Sequence, residues 1–190
     1  YKGVVPAYLG SDALGGDINI VTKKEKKNYL DMSYGIGSFH THKADLNAQI
    51  VFPKSGVIVR PTVGVNYSKN DYTMKGVEVW DESVRKYVPS NRKRFHDDYF
   101  SLLAQVEIGV TGKPWADDFF VTASYSKVDK ELQTGSIQTK VYGMAERNGS
   151  AYNVSAQYRK KDFLLKGLQM HSMLSHTWDY SLTVDTAYLV

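Results

Sequence analysis

The sequence predicts an all-β chain, and within that class an antiparallel wall of a transmembrane β-barrel. Three observations lead there. Apolar and polar residues alternate through seven runs of roughly ten residues, the length of a barrel strand. The connections between the runs are by turns short and long, as on the two rims of such a barrel. No helical period appears, and no window approaches the roughly 20 apolar residues that a spanning helix needs. A mean hydropathy of -0.39 does not oppose the reading, because barrel strands are polar at alternate positions and average out.

The first run sets the pattern. Leu30, Met32, Tyr34 and Ile36 are apolar, and Asp31, Ser33, Gly35 and Gly37 between them are small or polar. A strand with period two has one dry face and one wet face. This strand is expected over about Tyr29 to Phe39, and Ser38-Phe39-His40-Thr41 turns the chain into a second over about Lys43 to Phe52. Pro53-Lys54-Ser55-Gly56 is a tight turn into the third, Val57 to Ser68. A polar stretch from Asn70 to Asp98 is too long for an ordinary hairpin loop. The fourth strand, Tyr99 to Val110, sets Phe100, Leu102, Ala104, Val106, Ile108 and Val110 against Ser101, Gln105, Glu107 and Gly109. A turn over Thr111 to Asp118 leads to the fifth, which starts near Phe119 and gives way to a polar loop over roughly Asp129 to Ser150. Tyr152, Val154, Ala156 and Tyr158 mark the sixth. The seventh runs from Leu168 towards Trp178, with Ser172 and His176 out of pattern.

Alternation alone also suits a soluble β-sandwich, whose dry face turns inward. Two features favour the membrane. The runs are long for a sandwich, and polar side chains fill the opposite face throughout: Arg60, Asn66, Gln105, Glu107, Asn153, Gln157 and Arg159 would face a water-filled lumen. Phe52, Tyr67, Phe119, Tyr125 and Tyr158 fall near strand ends on the apolar side, where an aromatic girdle belongs. The 14 tyrosines suit that boundary, since the ring is apolar and the hydroxyl stays wet. The formal net charge of +4 comes from scattered Lys and Arg and gives no nucleic-acid signature. Cysteine is absent, which excludes disulfides and thiolate metal sites.

Residues 1–27 differ from the rest and form a separate unit before the wall at 28–190. A short strand ends at Pro6, a turn follows at Ser11 to Leu14, and Asp17 to Thr22 is a second strand before the charged Lys23-Lys24-Glu25-Lys26-Lys27. Gly15-Gly16 permits close backbone approach, and Ile18 and Ile20 flank Asn19 on a half-buried strand. The order Gly3, then Ala13-Leu14-Gly15-Gly16, Ile18-Asn19-Ile20 and Thr22-Lys23 resembles the end of the plug domain of TonB-dependent outer-membrane receptors. Tyr34-Gly35 and Ser38-Phe39 with Thr41 resemble that family's first hairpin in the style of Bacteroidota. Asp17 departs from the small apolar residue common there.

The resemblance implies a barrel of roughly 22 strands around a plug, of which this chain would hold the end of the plug and about seven wall strands. It begins without an initiator Met, so a processed chain or a piece of a longer one is expected. The resemblance further implies residence in the bacterial outer membrane among lipid and lipopolysaccharide. It implies a TonB complex engaged through an N-terminal segment not in this sequence, and siderophore uptake or import of another scarce small-molecule or metal-chelate ligand such as haem, cobalamin or a glycan.

The long polar stretch is the candidate ligand-capturing loop. Tyr72, Trp80, Arg85, Tyr87, Arg92, Lys93, Arg94 and His96 lie within it, and guanidinium groups beside aromatic rings suit anionic, partly aromatic ligands. His40 and His42 invite a metal reading, but no metal site and no cofactor are expected. The pairs Asp97-Asp98 and Asp117-Asp118 lack a neighbouring acid–base partner, and no catalytic triad order, phosphate loop or zinc spacing is present. The chain therefore reads as a non-enzyme. A passive pore or adhesion barrel is the nearest rival, and it would need no plug motif. A soluble β-rich binding domain is the third.

Overall fold

The computed structural model describes residues 27–134 and 141–185; the plug-like motif at 1–26 lies outside them. Nine strands follow in order: β1 (Tyr29–Gly37), β2 (Thr41–Phe52), β3 (Val57–Ser68), β4 (Thr73–Asp81), β5 (Lys86–Lys93), β6 (Tyr99–Lys113), β7 (Ala116–Thr134), β8 (Val141–Lys160) and β9 (Met170–Val184). Seven form one sheet in the order β1-β2-β3-β6-β7-β8-β9, and β4-β5 form a separate hairpin inserted between β3 and β6. Every pairing is antiparallel. The protein is thus an all-β meander with one excursion.

Register decides what each face carries. One row of paired residues crosses the whole sheet as Met32, Leu46, Val63, Ala104, Tyr125, Tyr152 and Trp178. The adjacent row is Asp31, Asn47, Thr62, Gln105, Ser124, Asn153 and Thr177. A one-residue slip at any pairing would mix these rows, because neighbouring side chains point to opposite faces. The apolar face is left open: Met32 is 66%, Tyr152 56% and Trp178 55% exposed. Among the described residues, contacts between elements run only between sheet neighbours and within the β4–β5 hairpin, so no second layer covers either face.

The few buried side chains sit elsewhere. Ile58 and Phe120 are buried on the polar face towards the β2–β3 and β6–β7 turns, and Ala116 is buried at the start of β7. The β2–β3 turn closes through Gly56, whose N–H donates to Phe52 O at 2.8 Å with φ of 70°, a conformation open to glycine without strain. Pro61 is unusual inside a sheet, since it has no N–H to give. The β2–β3 pairing is interrupted between Asn47–Thr62 and Ile50–Val59 without a change of register, and Pro61 lies in that lapse.

Two expectations about element limits need correction. The polar stretch 70–98 is no bare loop, because β4 and β5 occupy most of it. The supposed loop from Asp129 to Ser150 is mostly strand: β7 runs on to Thr134 and β8 begins at Val141. Pairs such as Asp129–Asn148 and Glu131–Glu146 continue the ladder with polar residues on both sides, which hides the alternation.

Candidate functional site

The β4–β5 hairpin stands on a polar base. Its incoming strand is preceded by Asp71 and Tyr72, and its outgoing strand is followed by Arg94 to Asp98. Lys93 Nζ lies 2.9 Å from Asp71 Oδ2, and Arg94 Nε lies 2.8 Å from Asp97 Oδ2. Arg94 also stacks over the Tyr72 ring at 5.4 Å and donates from Nη1 to the Tyr72 hydroxyl. Lys130 of β7 reaches Asp97 Oδ1 at 2.5 Å and Asp97 O at 2.8 Å. His96 places Nε2 3.0 Å from Ala145 O and Nδ1 3.5 Å from Glu131 Oε2. Phe95 N–H donates to Gln133 Oε1, and Asp98 N–H to Glu131 Oε2. On the other side Phe39 packs against Tyr72 at 5.5 Å, and Lys69 N–H donates to Phe39 O. The hairpin is therefore tied to β7, to β8 and to the β1–β2 turn.

Its tip is free of such ties. Asp81 Oδ1 accepts from Ser83 N–H and from the Ser83 hydroxyl, which holds its carboxyl below the usual range and shapes the turn. Arg85 closes the turn with φ of 48°. Trp80 and Tyr87 are directly paired, with ring centroids 5.3 Å apart and planes at 69°. Both rings are half exposed, at 50% and 55%. Met74 and Val77 are buried on the opposite side, and Gly76 with φ of 68° sits in the register shift between them.

The eight residues read from sequence thus divide. Tyr72, Lys93, Arg94 and His96 belong to the base, where each has a polar or ionic partner, although the buried Arg94 Nε makes no hydrogen bond. Trp80, Arg85, Tyr87 and Arg92 remain open to solvent. Sequence reasoning missed the partners that engage the base, the carboxylates Asp71, Asp97 and Glu131 for its cations and the Gln133 amide for the Phe95 N–H. The carboxylates were visible as charges, but the pairing depends on strand register. An open recess of about 340 Å³ beside the base is lined by Tyr67, Asp98, Glu131 and Glu146 among others. Among the described residues no group of three or more His, Cys, Asp or Glu converges to hold a metal ion.

A second cluster lies on the polar face at the lapse in the β2–β3 ladder. Arg60 donates to Gln49 Oε1 at 2.8 Å and pairs with Glu107, and its guanidinium lies over the Phe120 ring at 4.9 Å. Thr122 donates to Glu107, and Gln49 Nε2 donates to Lys27 O at 2.8 Å. Phe120 can lie there because position 109 is glycine: a Cβ on Gly109 would stand 2.3 Å from Phe119 O and from Phe120 Cδ1. Asn66, Gln105, Asn153, Gln157 and Arg159 share this face, with Asn66 bonded to Ser101, Asn153 to Thr177, and Arg159 to Asp118. No protein family, curated protein or solved structure matches the chain.

Proposed function

We propose that the chain is wall and plug-end of a TonB-dependent outer-membrane receptor, a non-enzymatic importer of a scarce ligand. The single observation that supports this most is the pair of adjacent rows, one wholly apolar and one wholly polar, across an uncovered sheet. An apolar face of that extent, left open by the rest of the described chain, is suited to hydrocarbon. On β6 the apolar positions run from Phe100 to Val110. Ten steps at about 3.3 Å cover about 33 Å, which at a tilt of about 40° spans about 25 Å, the height of a barrel's apolar band.

The limits of that band also support the reading. Tyr67 and Phe100 close it at one end on β3 and β6, while Tyr125 and Tyr152 close it on β7 and β8. Phe100 is paired with Asp129 and Leu102 with Lys127, so the boundary steps obliquely across the hydrogen-bonded rows. Phe52, Phe119 and Tyr158 close the other end, in one straight row with Val57 and Val110. The hairpin shares its rim with the ends of β7 at Thr134 and β8 at Val141, the extracellular side by analogy with the family, and the lumen would be lined by the polar face. Bare edges are not tolerated in lipid, so the reading requires further strands beside β1 and β9.

The experiment is fractionation followed by uptake. The full-length protein should pellet with outer membranes, resist extraction by alkaline carbonate, and support ligand import only when the TonB complex is intact. Recovery in the soluble fraction would overturn the reading. Membrane residence with import independent of TonB would favour a passive pore.

A further inference from the structure

We propose that the outward face of the β4–β5 hairpin is a stacking platform for the rings of a neutral oligosaccharide. The inference rests on the hairpin being an outward-facing capture element, as argued above, and it names the class of ligand taken there. Register puts Glu78 opposite Pro89 and Trp80 opposite Tyr87 on one face. Val77, Val79 and Val88 alternate with them and are buried or half-buried on the other. Near the tip the exposed face therefore carries two aromatic rings, a proline ring and one carboxylate, with Thr73, Asn91 and Lys93 further along it towards the base.

Ring geometry suits a sugar. Planes at 69° and centroids 5.3 Å apart make a corner, one ring serving as floor and the other as wall. The electron-rich face of an aromatic ring attracts the weakly positive C–H groups of a pyranose, and the pair leaves such a face half exposed. Charge argues in the same direction. Arg92 shares the side of Val88 and Ser90, away from the rings, and the Asp81–Lys86 pair also falls on that side. Lys93 is held by Asp71 at the base, and Arg94 by Asp97. Beside the ring pair, the paired strand positions of that face present the Glu78 carboxylate, with Arg85 in the turn beyond them and Lys93, held by Asp71, at the far end of the face. An anionic chelate would meet that carboxylate beside the rings, whereas sugar hydroxyls would donate to it. The anionic ligand expected from Arg92-Lys93-Arg94 is replaced by a neutral one at this face.

The test uses the full-length protein in detergent with maltoheptaose, cellohexaose and xylohexaose as neutral probes. Polygalacturonate and a ferric tris-catecholate serve as anionic ones, and binding is followed by calorimetry and saturation-transfer NMR. At least one neutral probe should bind, with its ring C–H signals saturated. Trp80→Ala and Tyr87→Ala should each weaken it by about tenfold, the equivalent of about 1.4 kcal/mol, and Arg92→Ala should leave it unchanged. Circular dichroism confirms that the variants keep their strands. The proposal is overturned if no neutral probe binds, if Trp80→Ala leaves affinity unaltered, or if only the anionic probes bind. A protein that sits in the outer membrane yet ignores the neutral probes refutes the sugar platform alone. A soluble protein that binds them refutes the receptor reading alone.

Discussion

Gly109 shows how one missing atom organises the polar face. The Phe120 ring occupies the space where a Cβ would stand, and Arg60 covers that ring while pairing with Glu107. Gly109→Ala should force Phe120 out of place and destabilise the protein by about 1–3 kcal/mol, the usual cost of overpacking; the urea midpoint of the folded protein measures it. Arg60 and Glu107 are about three-quarters buried, with side chains 26% and 24% exposed, so the pair is screened less than a surface one. A double-mutant cycle over Arg60→Ala and Glu107→Ala should return a coupling of about 1–2 kcal/mol. Independent effects would show that the two side chains only share space. The sequence marked Arg60 and Glu107 as polar-face residues, but not their dependence on Gly109, because the contact between Gly109 and Phe120 arises only when β6 pairs with β7.

The hairpin is held by charge, and its hold should weaken in acid. The hydrogen bond from Lys93 keeps the Asp71 carboxyl below its ordinary value, with His40 and Lys69 adding favourable charge. A carboxylate depressed in the folded state contributes above its unfolded value, near pH 4, and the contribution disappears as pH falls through the lowered folded value. Amide exchange across β4 and β5 should therefore accelerate below about pH 4 relative to β3 and β6, and Asp71→Asn should remove the difference. Among the elements, β1, β2, β3 and β6 were legible because each keeps an apolar phase from end to end. The far parts of β7 and β8 were not. Beyond Tyr125 the same face carries Lys127, Asp129 and Glu131, so the period of two continues in the backbone without a hydrophobic signal. The hairpin was hidden for a related reason. Val77, Val79 and Val88 alternate, but the bulge at Gly76 shifts the register and the cations around it read as loop.

Across the whole sheet the sequence foretold two faces of opposite character, and pairing aligns them into continuous rows. Periodicity could not say what covers the apolar face, since a sandwich and a membrane wall share it. Among the described residues no second layer lies over that face, which supports the membrane wall proposed above. Val106 and Gln105 are neighbours on opposite faces near the middle of β6, and the chain has no native cysteine. Val106→Arg should impair membrane assembly, since Arg costs about 2–4 kcal/mol on a lipid-facing surface at mid-bilayer, and Gln105→Arg should be tolerated. The most direct measurement is collision accessibility of a spin label at Val106→Cys and at Gln105→Cys in the full-length protein reconstituted in lipid. The account predicts that the label at 106 relaxes with oxygen dissolved in hydrocarbon and the label at 105 with a water-soluble nickel complex. A label at 106 shielded from both would place protein over that face and contradict it.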